Sequence, residues 1–450
     1  DKVLDHARVV LVSLLGGENY WRYGVERLLD WVAQGNAQNP RQLLLVPGDD
    51  SPDPALFEAG GGSVENGHRA WHYLREGGAA NLRQLLYFLA DEYLGRDYGW
   101  REPQHLPRCL LYMPGQSRQA TWDEWARRWQ QRNPAGERCL LLFYRSHLQS
   151  SNTQMFDQLI AALETAGINP LPLAIASLKD AESLALVNAL LEQSGARLIV
   201  NTTGFASQTV SSPGLAAEPT RFQSPFKRRV PVLQLILSGS TEEDWESHQQ
   251  GLRSRDIAMQ VVLPEMDGRI ITRAVSFKSA ARFAERSQIA VVNYSLHAER
   301  AAFVAMLAQN FLRLATLPNR DKRIALMLAN YPTRDGRIGN GVGLDTPASV
   351  INLLRAMQQA DYPVAGLMDD GNALIAEILG AVTNNPATLH QLPCWQSMAV
   401  ADYRRHFDAL PETARAAVLA RWGEPERDPK CRQGRLMIAG IRLGETFVGI

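Results

Sequence analysis

The chain has 450 residues with 47 basic and 47 acidic side chains, so no global basic field exists to hold a nucleic-acid backbone or an anionic membrane surface. Apolar residues make up 45% and charged residues 21%, which excludes a disordered chain, and at roughly 150 residues per domain the length points to about three domains. Only six basic residues are lysines; the others are arginines, which suit bidentate contacts with carboxylates or phosphates. No apolar run reaches the ~18 residues needed to cross a bilayer. The four cysteines form no CxxC pair, as suits reduced thiols in a cytoplasm, the expected location. The chain begins at Asp1 and stops at Ile450 inside a strand-like run, and it reads as a piece of something longer.

In chain order, a strand over Ala7 to Leu15, a helix around Tyr20 to Val32 and a strand from Leu43 to Val46 form one unit. Helices around Trp71 to Tyr93 and a short run from Cys109 to Met113 follow. The charged stretch 118–138, rich in tryptophan and arginine, reads as a connecting helix, which gives domains over 1–117, 139–320 and 321–450. The middle region alternates clearly: strand Cys139 to Tyr144, helix Asn152 to Ala166, strand Leu171 to Ala176, helix Asp180 to Gln193, strand Leu198 to Val200. Strands are also expected at Val232 to Leu237, Ile257 to Leu263 and Ile270 to Phe277. Short continuous apolar strands alternating with longer helices predict an α/β fold: multidomain, parallel sheets flanked by helices in Rossmann-like units. The last region opens with strand Ile324 to Leu328, enters helix Pro347 to Ala360 through a glycine-rich loop, and is mostly helical from Asn372 to Trp422.

Ligands collect at the carboxyl edges of parallel strands, so residues that follow strands are the first candidates. Arg145, Ser146 and His147 follow one strand and offer a cation, a hydroxyl and an imidazole, which could grip a carboxylate and supply a ligand or base; an ordinary polar loop is the plainer explanation. Asn201-Thr202-Thr203-Gly204 forms another polar edge. Ser240 and Glu243 have capping-box spacing and need no function. In Pro264-Glu265-Met266-Asp267-Gly268-Arg269, Asp-Gly is a hairpin signal that explains Asp267, which leaves Glu265 as the better working carboxylate.

The densest segment runs from Leu328 to Pro347. Its glycines, Gly336, Gly339, Gly341 and Gly343, let backbone N–H groups approach a ligand, while Thr346 as N-cap and Pro347 begin a helix whose end attracts anions. GxxxxGK[ST] is absent from the chain, so a nucleotide site gains little support, and a structural loop remains open. His68 and His72 lack the HExxH glutamate, and no serine sits in GxSxG.

The run Ala329-Asn330-Tyr331-Pro332 with Asp335 to Ser349 resembles the large, CobN-type subunits of aerobic cobaltochelatases. So do Leu14 to Gly17 with Tyr20-Trp21, Phe143 to His147, Asn169 to Pro172, and Leu263-Pro264-Glu265 with Asp267 to Ile270. The related magnesium chelatase large subunits share Arg145-Ser146-His147, Thr203 to Ala206, Pro264-Glu265 and Asp267-Gly268, but depart at Asn330, Arg334, Asp335 and Asn340. The resemblance implies ATP-dependent insertion of Co(II), the substrate metal, into hydrogenobyrinic acid a,c-diamide in cobalamin synthesis. It implies a subunit that binds tetrapyrrole and metal, two AAA+-related partners that hydrolyse ATP, no permanently bound cofactor, and no nucleic acid or membrane. On this reading His147 and Glu265 handle the metal or the pyrrole protons. Arg145, Arg334, Arg337, Asn340, Gly336, Gly339, Gly341 and Asp345 contact the substrate. A family HxGxHG motif is absent from these 450 residues, so the segment alone is expected to be inactive. A magnesium-type subunit, a nucleotide-binding α/β enzyme and a noncatalytic scaffold for AAA+ partners are the alternatives.

Overall fold

The computed structural model describes residues 4–116, 119–207, 224–249, 251–279, 282–330 and 335–450, and the chain parts into two compact units, 1–313 and 314–450. The first unit opens with β1 (Val9–Leu14), α1 (Arg22–Ala33) and β2 (Gln42–Pro47), whose strands pair in parallel. Helices α2 (Pro54–Ala59), α3 (Val64–Glu76) and α4 (Gly78–Leu94) follow.

The chain then builds one seven-stranded sheet. Its elements in sequence are β3 (Cys109–Leu111), α5 (Trp122–Arg132), β4 (Arg138–Tyr144), α6 (Ser146–Gln149), α7 (Gln154–Thr165), β5 (Asn169–Ile175), α8 (Ala181–Ser194), β6 (Leu198–Asn201) and β7 (Val232–Thr241). They continue with α9 (Glu242–Ser247), α10 (Ser254–Ile257), α11 (Leu263–Met266), β8 (Ile270–Lys278), a small hairpin of β9 (Arg282–Ala284) and β10 (Ile289–Val291), β11 (Tyr294–Leu296) and α12 (Ala298–Thr316). The strand order is β11-β8-β7-β6-β4-β5-β3, with parallel pairing inside and antiparallel strands at both edges. Residues Cys139 to Phe143 are fully buried, as a strand covered on both faces requires. The stretch read as a connecting helix packs into this core: Trp125 and Trp129 are buried, and their indole N–H groups donate to the carbonyls of Tyr112 (2.9 Å) and Pro170 (3.1 Å).

Two local readings are corrected. The run Ile257 to Leu263 is not a strand; Ala258–Val262 winds as a π-helical turn between α10 and α11. A short apolar run suits helix or strand alike. Here the Gln260 side chain accepts from the Leu237 N–H (2.7 Å) and donates to its carbonyl (2.6 Å), and β8 pairs with β7 in parallel. Asp267-Gly268 therefore closes a helix and makes no hairpin: Gly268, at φ 69°, donates to the Glu265 carbonyl. The cap of α9 is Thr241, which accepts from Asp244 N–H (3.1 Å), whereas Ser240 is buried in β7.

The second unit contains β12 (Ile324–Met327), α13 (Thr346–Gln359), α14 (Gly371–Leu379), β13 (Gln396–Ala399), α15 (Val400–Phe407), α16 (Glu412–Trp422), β14 (Cys431–Arg432), β15 (Arg435–Ile438), β16 (Gly440–Leu443) and β17 (Thr446–Gly449). β17 lies between β12, which is parallel to it, and the antiparallel β16; β13 and β14 flank β15. Leu354, Leu374 and Val448 are central to its core. The expected N-cap Thr346 is instead the first residue of α13, and Asp345 caps it by accepting from Ala348 N–H (3.1 Å), because a carboxylate one residue earlier reaches the free donors. Among the described residues no helix is long and apolar enough to cross a membrane.

Candidate functional site

In the first unit, the carboxyl ends of β4, β6, β7 and β8 open on a cavity of about 460 Å³, within the usual range for small-ligand pockets. Tyr144 and His147 enter it after β4, Thr202, Gly204 and Phe205 after β6, and Lys278 ends β8. Arg253 precedes α10, Arg255 and Asp256 lie in it, and Tyr294 comes from β11.

His147 is half-buried, edge-on to Phe156 and Tyr294 with ring centroids 4.8 Å and 5.6 Å away. Removal from water pushes its pKa down to about 4, so near neutral pH it presents an uncharged imidazole. Among the described residues nothing hydrogen-bonds to its ring nitrogens. An unprotonated nitrogen in that state can bind a transition metal or take a proton.

A buried polar network holds the floor. Arg269 and Asp267 form an ion pair at 2.6 Å with both side chains almost wholly inaccessible. Arg269 also donates to the carbonyls of Thr203 (3.0 Å) and Phe205 (3.1 Å) and to Gln234 Oε1 (3.1 Å), while Asp267 accepts from Ser207 N–H (2.7 Å). Asn201 Nδ2 donates to the same Gln234 oxygen at 2.6 Å. Phe205, with φ 62° in the left-handed region and 45% exposed, is thereby held on the cavity rim. Gly204 is required because a Cβ there would meet the Met259 carbonyl at 2.9 Å. Tyr144 closes the loop by donating to the Gly204 carbonyl (2.9 Å), and burial raises its own pKa. Two stretches far apart in sequence, Thr203 to Ala206 and Asp267 to Arg269, are thus one hydrogen-bonded object.

The residues chosen from sequence separate. Arg145 is buried, and its guanidinium donates to the carbonyls of Leu106 (2.7 Å) and Pro107 (3.3 Å); burial lowers its pKa. Glu265 is exposed on α11 and does not line the cavity that His147 lines. Arg255, Asp256, Lys278 and Tyr294 went unread because none belongs to a motif; the available signal was Lys278, one of six lysines, at the end of an expected strand.

The glycine loop belongs to the second unit. Arg334 lies outside the described residues. Gly336, Arg337 and Asn340 are exposed. Gly339 has φ 70° and donates its N–H to the Ala329 carbonyl, and a Cβ on Gly341 would meet Thr346 Oγ1 at 3.0 Å. Asp335 accepts from Thr383 Oγ1 (2.7 Å) and Asn385 Nδ2 (2.8 Å), which ties the loop down. The Asn330 amide nitrogen and oxygen are both buried with no partner among the described residues.

With this parallel α/β sheet, its polar cavity and the glycine loop that follows in sequence, residues 71–450 match the family of large chelatase subunits described as CobN/Magnesium Chelatase. The chain belongs to that family. It is 51% identical over its whole length to the aerobic cobaltochelatase subunit CobN of Pseudomonas aeruginosa and 37% identical to that of a Sinorhizobium species, and it covers 35% of each. The solved catalytic subunit of cobaltochelatase from Mycobacterium tuberculosis matches all of this chain with a TM-score of 0.69 and 29% identity, again over 35% of that protein. The chain therefore spans about a third of the length of its relatives.

Proposed function

We propose that a protein containing this chain is the tetrapyrrole- and metal-binding subunit of an ATP-dependent cobalt chelatase, inserting Co(II) into hydrogenobyrinic acid a,c-diamide in cobalamin biosynthesis. The observation that carries the reading is similarity to cobaltochelatase subunits along all 450 residues. The cavity is consistent with it, since metallation needs a group that meets the metal or removes two pyrrole protons, and His147 stays neutral at physiological pH. Glu265, exposed just beyond the turns that carry Met259 and Gln260, is proposed as the second such group. Arg337, Asn340 and the loop glycines are proposed contacts for peripheral groups, together with Arg334. Arg145 and Asp345 enter the proposal as positioning residues, since the first holds the 106–107 segment and the second caps α13.

ATP hydrolysis is assigned to two AAA+-related partners in the cytoplasm. The test is a metallation assay on the full-length protein with and without those partners, followed by the change in macrocycle absorbance. ATP-dependent uptake of cobalt only with partners present is expected. Uptake driven by ATP in the isolated 450-residue segment, or insertion of magnesium in preference to cobalt, would contradict the assignment.

A further inference from the structure

Resting on the tetrapyrrole reading above, we propose that Arg255 and Lys278 form a carboxylate-binding pair at the mouth of the His147 cavity and recognise acidic side chains of the macrocycle. Both residues line the cavity and both are exposed. They approach it from two elements that both pack on β7: Arg255 lies in α10, and Lys278 ends β8, where its Cα pairs with that of Thr241 on β7.

The arginines nearby are already in use. Arg253 pairs with Asp244 at 2.7 Å, Arg269 is locked to Asp267, Arg273 meets Glu299 at 3.1 Å, and Arg300 donates to the Ala274 carbonyl and lies over the Trp245 ring. Among the described residues Arg255 and Lys278 have no ion pair or side-chain hydrogen bond. Asp256, the one carboxylate among the described lining residues, keeps its oxygens engaged within the fold and offsets only one of the two unpaired cations. Its Oδ2 accepts from Gly239 N–H (2.9 Å) and Ser238 Oγ (3.3 Å), and its Oδ1 from Gln260 Nε2 (3.3 Å).

The result is a concave surface with excess positive charge, the His147 imidazole and an aromatic rim, Phe205 and Tyr294. Such a surface attracts anions, and a guanidinium and an ammonium lining one cavity offer donors to carboxylates on different sides of a planar ring.

The experiment is equilibrium titration of the full-length protein with hydrogenobyrinic acid a,c-diamide and with its methyl-esterified form, using wild type, Arg255→Gln, Lys278→Gln and the double variant. About tenfold weaker binding of the acid is expected for each single change and about a hundredfold for the double, with the ester bound equally by all four. Arg255→Lys, which keeps the charge, should recover most of the affinity. Equal binding of the acid by wild type and double variant overturns the assignment, and so does a parallel loss for the ester. Should wild type bind no macrocycle, the tetrapyrrole reading fails by itself. Titration with propane-1,2,3-tricarboxylate then decides the cation pair separately: loss of that binding in the double variant supports a carboxylate site, and no change overturns it.

Discussion

Two halves of one sheet edge differ in how their polar groups are used. On the β6 side, Asn201, Thr203, Gln234, Asp267 and Arg269 exchange hydrogen bonds almost entirely among themselves, out of contact with water. On the other side, the side chains of His147, Arg255 and Lys278 line a cavity with no hydrogen bond or ion pair among the described residues. A saturated network fixes backbone, whereas unsaturated donors and acceptors retain their capacity for a ligand. The difference separates scaffold from site among residues that share types and even motifs.

Breaking the saturated half should have the largest effect. Asp267→Ala leaves the Arg269 guanidinium buried and unpaired, so a loss of about 3–5 kcal/mol is expected in urea unfolding. A loss under about 1 kcal/mol would mean that water or another group reaches Arg269.

A smaller effect follows from acidification. In the unfolded chain His147 titrates near 6.5, and in the fold near 4, so between those values the unfolded state binds the proton first and stability falls as pH drops. That contribution is complete above pH 6.5, and about 3 kcal/mol of it is lost on approaching pH 4. Denaturation of wild type and His147→Gln across this window checks it; the variant should lose that much less. Parallel curves would show that the imidazole is solvated.

The smallest effect belongs to the rim: Arg255→Gln and Lys278→Gln should shift stability by no more than about 0.5 kcal/mol, because exposed groups without partners have little to lose. A large loss of stability in either would assign that residue to the scaffold half.

Much of this was legible in the residues. The apolar runs Cys139 to Tyr144 and Leu198 to Val200, each closed by polar residues, gave the parallel strands and their carboxyl edge, and His147 followed from position alone. Ile257 to Leu263 was not legible as helix, because its polar partner, the Leu237 backbone, is brought to it by tertiary contact. Arg145 and Arg255 illustrate the same limit. Both are arginines near strand ends, but whether a guanidinium is consumed depends on what the rest of the chain delivers, and for Arg145 it is the carbonyls of Leu106 and Pro107. Glu265 was chosen by elimination from a hairpin that does not form, and Asp267, set aside as turn geometry, is the anion of the buried network.

The most direct measurement is steady-state cobalt insertion by the full-length protein with the proposed AAA+ partners, comparing wild type with His147→Ala and Glu265→Gln. If these groups meet the metal or the pyrrole protons, the insertion rate should fall by about a hundredfold or more while macrocycle affinity changes less than about threefold. Turnover at the wild-type rate in both variants would contradict the account and leave the His147 cavity without a part in the chemistry.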